Sequence, residues 1–274
     1  MKGLLKADFS RVFKDKLLIV IGILAIVFAF ITPLLYAALF AAGSTVDKEM
    51  LSGFITVKSQ FFGSFSIGNN LGLIAPILLA IVLCKDFSFG TVRNKIIAGK
   101  SRSQIYMSLF ITCSVVLVGI MLIHAFVTLG VGLIFFDYQT TPFELSDFWY
   151  FLESLGFVIL TLIFVSSLLS WLCASMKNVG LVIVLYVAMA FALAMAGSII
   201  QVVVGLMEML DGNEKVIELL RFIDRINVGN AVAYIGNSTK YTLKDVLYLT
   251  IPATVGIFGF MGLGLLKFNK KDLK

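Results

Sequence analysis

Charge is scarce in this sequence. Of its 274 residues only 14% are Asp, Glu, Lys or Arg, 59% are hydrophobic, and the mean hydropathy is +1.01. A water-soluble domain of this size could not hide so much apolar surface, so lipid must be the solvent for much of the chain. Histidine is scarcer still: the single His124 provides neither an HExxH pair nor, without acids nearby, a Ser-His-Asp site. No Asp or Glu lies well inside an apolar run, which excludes a paired-aspartate intramembrane protease and counts against ion-coupled transport. The three cysteines, Cys84, Cys113 and Cys173, form no CxxC and sit in or at the ends of apolar runs; they read as small core hydrophobes, not disulfide or metal partners. A cleavable signal peptide is not expected either, because the first apolar run is too long and lacks a small-residue cleavage site. The chain shows no internal repeat and no low-complexity stretch.

What is present is apolar length. Six runs, Leu17–Ala42, Phe61–Cys84, Gln104–Phe136, Trp149–Met176, Val179–Met207 and Val246–Lys267, each reach the roughly 20 residues needed to cross the hydrocarbon core. Each must be helical, since an open strand in lipid leaves its backbone groups without partners. Pro33, Pro76 and Pro252 lie within three of the runs and are expected to kink them. The third run is longer than a span requires and is expected to protrude. Before the first run, Leu5, Phe9, Val12 and Phe13 share one helical face while Lys2, Lys6, Arg11, Lys14 and Lys16 occupy the rest, which predicts an in-plane interfacial helix over 1–16 bound to membrane lipid.

The net charge of +6 reflects topology and not a nucleic-acid partner, because the cations flank the apolar runs. With the N-terminus inside, the inner segments hold 15 of the 22 Lys and Arg, and the outer segments hold 12 of the 16 Asp and Glu. The positive-inside rule therefore predicts that both termini are cytoplasmic. The expected architecture is one all-α integral membrane domain over 1–274, with six transmembrane helices, in a bacterial cell membrane. Its largest outer loop, 208–245, carries a short amphipathic helix: Val216, Leu219, Leu220 and Ile223 follow the cap-like Asp211-Gly212-Asn213. Two small-residue ridges, Ala188/Ala192/Ala196 and Gly68/Gly72, would permit close helix packing within the subunit or across a dimer. His124, mid-way along the third run, and Asn69 and Asn70, at the second, are the polar residues placed to line a path or pack within it.

The most informative stretch is the inner segment 85–103, which carries Lys85, Arg93, Lys95, Lys100 and Arg102 against one acid, Asp86. Thr91 is placed to cap a short helix over Val92–Ala98 that Gly99 ends, and Ser101-Arg102-Ser103-Gln104 reads as a capping box opening the third run. Val92 and Ile96 form its apolar side. Ala98-Gly99-Lys100-Ser101 echoes the end of a phosphate loop, but Asn94 stands where the first glycine is required and no strand precedes it, so ATP is not expected to bind this chain.

Asp86-Phe-x-x-Gly90-Thr91-Val92-Arg93-Asn94-x-Ile96-x-Ala98-Gly99-x-Ser101-Arg102 resembles the loop after the second span in ABC-2 type transporter permeases. The six-span layout, the N-terminal interfacial helix and the large outer loop are similar too. Gly99-Lys100 where that family often has proline, and Lys85 beside the acid, are departures. The resemblance implies that Asp86, Gly90, Thr91, Arg93 and Arg102, with Val92 and Ile96 of the short helix, form a coupling element that docks on a separate ATP-binding subunit. It implies that ATP and Mg are held by that subunit, that a second permease subunit completes the complex, and that the chain is not itself an enzyme. A hydrophobic or amphipathic cargo such as an antimicrobial peptide or drug suits the charge-poor spans. Sodium extrusion is the alternative within the family; a non-transporting scaffold or sensor and an ion-coupled secondary transporter are the alternatives outside it.

Overall fold

The computed structural model describes residues 1–42, 56–65, 70–88, 90–135, 143–176, 178–210, 212–229 and 241–270. Among these, every regular element is an α-helix: α1 (Lys2–Lys14), α2 (Lys16–Ala42), α3 (Val57–Gly63), α4 (Asn70–Ser88), α5 (Thr91–Ile97), α6 (Arg102–Phe135), α7 (Leu145–Ser175), α8 (Val179–Met209), α9 (Glu214–Ile226) and α10 (Leu243–Lys270). Five of them, α2, α6, α7, α8 and α10, are long and apolar enough to cross a membrane, the build of a multi-pass membrane protein. At 34 residues α6 is about 51 Å long, well beyond a hydrocarbon core of roughly 30 Å.

The expected second span, Phe61–Cys84, is divided. Phe61 and Phe62 belong to α3, whose start is fixed by a Thr56–Ser59 capping box and whose end is marked by Ser64 Oγ donating to the Phe61 carbonyl at 2.6 Å. Only α4 continues towards the basic segment. Ser64 and Phe65 form a turn after α3, and residues 66–69 lie outside the described residues. Gly72–Phe87 and Thr91–Ile97 meet at a 49° bend, and count as a sixth span only if taken together as one broken crossing.

Helices α6 and α7 form the centre. Along α6 the buried positions include Ile105, Leu109, Cys113, Leu117, Ile120 and Met121; along α7 they include Val158, Leu162, Leu169 and Leu172. Helix α10 packs along α7, α2 along α6, and α4 touches α2, α6, α7 and α8. The α7–α10 contact is close because α10 offers glycines to aromatic rings: a Cβ at Gly256 would fall on the Phe164 ring, and one at Gly264 on the Tyr106 phenol of α6. The outward faces of α2, α8 and α10 stay apolar, with Ile23, Phe30, Val184, Phe191, Val255 and Phe258 all exposed on the isolated chain, as a lipid-facing surface requires.

Contacts between helix termini define two ends of opposite character. The basic end gathers α1, the end of α4, α5, the start of α6 and the end of α10; Arg102 joins the last two by donating to the carbonyls of Asn269 at 2.7 Å and Phe268 at 3.3 Å. The opposite end gathers α3, the start of α7, α9 and the start of α10. Helix α9 begins where the sequence places it, with Asn213 accepting from the Lys215 amide. Its face against the bundle, however, is Ile217 and Asp224, while Val216, Leu219 and Ile223 are exposed.

Candidate functional site

The basic end contains a buried cluster of opposite charges that joins four helices. Asp86, in the last turn of α4, is completely buried; Arg11 of α1 bonds its Oδ1, and Lys95 of α5 lies 3.2 Å from its Oδ2. The same Lys95 Nζ reaches Asp8 of α1 at 2.5 Å, and the Asp8 Oδ2 accepts from the Ser108 hydroxyl of α6, also at 2.5 Å. Two carboxylates and two cations thus balance, with a hydroxyl filling a further acceptor site. Beside them Lys85 pairs with Asp15 at 2.7 Å, across the junction of α1 and α2.

Local sequence sets up each member. Asp8 lies between Leu4 and Val12 at helical spacing, and all three are buried, so α1 docks on the bundle through this face. Of the expected interfacial face of Leu5, Phe9, Val12 and Phe13, Phe13 is exposed and stacks on Phe9 at 6.2 Å, leaving the aromatic pair for the lipid boundary, while Val12 is buried against the bundle. At Asp15, burial pushes the carboxyl pKa up, but the Lys85 hydrogen bond, the Leu17 amide and the neighbouring cations outweigh it and hold the group below its usual 3.8.

Helix α5 is held by its two glycines. Gly90 is the N-cap in the left-handed region at φ 70°, so Thr91 is the first helical residue and not the cap that the sequence suggests. Gly99, at φ 79°, closes the helix: its amide bonds the Ile96 carbonyl at 2.9 Å and the Lys100 amide bonds the Lys95 carbonyl at 3.1 Å, a Schellman ending. The Ser101–Gln104 capping box forms as expected and starts α6. Ala98-Gly99-Lys100-Ser101 is therefore a turn between two helices, whereas a phosphate loop joins a strand to a helix.

The residues implicated in coupling divide into two sets. Asp86, Val92 and the half-buried Ile96 face inward and anchor α5, and Arg102 anchors α10. Of the implicated residues Arg93 faces outward, beside Asn94, Ile97 and Lys100, which were not in the implicated set, and Ile97 is 75% exposed. Asp8, Arg11, Lys95 and Ser108 were not singled out by sequence reasoning. The available signal was a lone acid at the centre of an otherwise apolar α1 stripe.

His124 is not part of this site. It is buried in α6 with no hydrogen-bond partner for Nδ1 among the described residues, about 24 Å along the helix from Ser108. Asn70 is the first residue of α4, while Asn69 and Gly68 lie outside the described residues. Ala188, Ala192 and Ala196 are exposed, so their ridge packs on nothing among the described residues. Between α4, α7 and α8 lies an apolar cavity of about 300 Å³, walled by Leu73, Phe164, Leu168, Tyr186 and Phe191 among others. The chain matches no family model and no curated protein.

Proposed function

We propose that this chain is the transmembrane permease subunit of an ATP-driven ABC exporter of the ABC-2 type, working beside a separate ATP-binding subunit and a second permease subunit. The observation that carries the reading is the charge cluster beneath α5. A seven-residue helix, bounded by two left-handed glycines, is tied through Lys95 to Asp86 of α4 and to Asp8 of α1, and runs directly into the capping box of α6. A push on its outer face must therefore be transmitted to α4, α1 and α6 together. Such an element suits the transfer of force from a partner that changes shape on ATP hydrolysis. Arg93, Ile97 and Lys100 would meet the partner, and Asp86, Val92, Lys95 and Arg102 would pass the load inward.

In this reading α1 and both termini lie at the cytoplasmic side of a bacterial cell membrane. The apolar cavity and the absence of carboxylates from the centres of the described spans favour a hydrophobic or amphipathic cargo, such as an antimicrobial peptide or drug, over sodium. The test is affinity copurification in mild detergent. The wild type should bring down a protein carrying GxxxxGK[ST], and Arg93→Glu with Ile97→Asp should lose it at unchanged membrane level. If no such protein accompanies either form, the exporter has no source of energy and the proposal fails.

A further inference from the structure

Two of the three cysteines meet inside the bundle, although they lie 89 residues apart in sequence. Cys84 is in the penultimate turn of α4 and Cys173 in the last turns of α7, and their Sγ atoms are 2.9 Å apart. The Cys173 sulfur is also within 3.9 Å of the Ala80 carbonyl, one turn before Cys84, which orients it along α4. Both side chains are buried, at 4% and 1% exposure. The third cysteine, Cys113 of α6, instead faces the hydroxyl of Ser166.

We propose that Cys84 and Cys173 are a modification site: an oxidisable dithiol whose disulfide staples the end of α4 to α7. The Sγ contact of 2.9 Å is only about 0.9 Å longer than a disulfide bond of about 2.05 Å. The oxidant class follows from the surroundings. Apolar burial keeps polar oxidants out, so the reagent must be soluble in lipid, and an organic hydroperoxide of the kind formed in oxidised lipid meets that need. One thiol sulfur takes an oxygen as the O–O bond breaks, giving a sulfenic acid and releasing an alcohol. The second sulfur displaces that oxygen as water, forming the S–S bond. Two thiols and one hydroperoxide become one disulfide, one alcohol and one water; sulfur is oxidised and peroxide oxygen reduced.

Cys84 directly precedes Lys85 and Asp86, so the staple would fix the part of α4 that carries the charge cluster. The oxidation itself does not depend on the exporter reading and is tested without a partner. Purified full-length chain in detergent is treated with cumene hydroperoxide, denatured, and its thiols counted with a maleimide mass tag. The wild type should fall from three tags to one and recover three with dithiothreitol, and Cys113→Ala should fall from two tags to none. Cys84→Ser should keep both of its tags at the same dose. Tryptic mapping of oxidised wild type, which needs no variant to fold, should yield the Cys84–Cys173 linkage. Retention of three tags by the wild type, equal loss in Cys84→Ser, or a linkage through Cys113 would overturn the proposal.

Discussion

The two ends of the bundle are held by different chemistry. At the basic end, Asp8, Arg11, Asp86, Lys95 and Ser108 interlock through directional bonds, largely out of solvent. At the opposite end the contacts are aromatic: Phe61 stacks on Phe151 at 5.8 Å and meets Phe65 at 5.3 Å, Phe62 meets Tyr150 edge-on at 4.7 Å, and Tyr241 stacks on Tyr150 at 5.1 Å. Ion pairs there lie at the periphery, Lys58 with Asp147 at 2.5 Å and Arg221 with Glu208. Rings can slide and re-pack at small cost, whereas a buried carboxylate cannot leave its cations without an uncompensated charge. One end therefore holds a fixed register, and the other tolerates relative movement of its helices. Under the proposed exporter reading, force would be received at the first end and rearrangement would occur at the second.

Breaking the fixed end should have the largest effect. Asp86→Ala leaves Arg11 and Lys95 facing a buried void and should cost about 3–5 kcal/mol, read as a large fall in the thermal midpoint of the purified chain in detergent. Adding Lys95→Met to Asp86→Leu should cost less than the two single changes summed, because the second removes a charge the first has stranded. In the packing of α10 on α6 near the same end, Gly264→Ala drives a methyl onto the Tyr106 phenol and should cost about 1–3 kcal/mol in the same assay. The aromatic end should be more forgiving: Phe62→Leu keeps most of the volume, loses the edge contact with Tyr150, and should cost about 0.5–1.5 kcal/mol.

The smallest effect concerns Asp15, whose pKa is lowered by the Lys85 bond against the pull of burial. A carboxylate with a depressed folded-state pKa stabilises above its unfolded value near 3.8, and that contribution is lost as pH falls through the folded value. Stability measured from pH 7 down to pH 3 should show this acid-side loss in the wild type and a smaller one in Lys85→Met.

Local features of the fold were legible in the sequence, and long-range ones were not. The Ser101–Gln104 box, the Gly99 stop and the Asn213 cap each depend on residues within a few positions, and each forms as read. The end of α3 at Gly63 was not legible, because hydropathy averages over the Gly, Ser and Asn residues between Phe62 and Leu71. The docking of α1 on the bundle was not legible, because the apolar pattern marks only the lipid-side face with Phe9 and Phe13, while the structure also buries Asp8, whose charge is answered by Lys95 from 87 residues away. The approach of Cys84 and Cys173 was hidden in the same way: nothing in their spacing announces it, and only the packing of α4 on α7 creates it.

The claim that α5 is the point of contact with an ATP-binding subunit is tested most directly by photo-crosslinking in intact cells. A benzophenone amino acid would replace the exposed Ile97, with the exposed mid-span position Val115 as the control. The account predicts an adduct from position 97 that contains a protein with GxxxxGK[ST], and none from position 115. No such adduct at 97, or one with a protein lacking a phosphate loop, would contradict it.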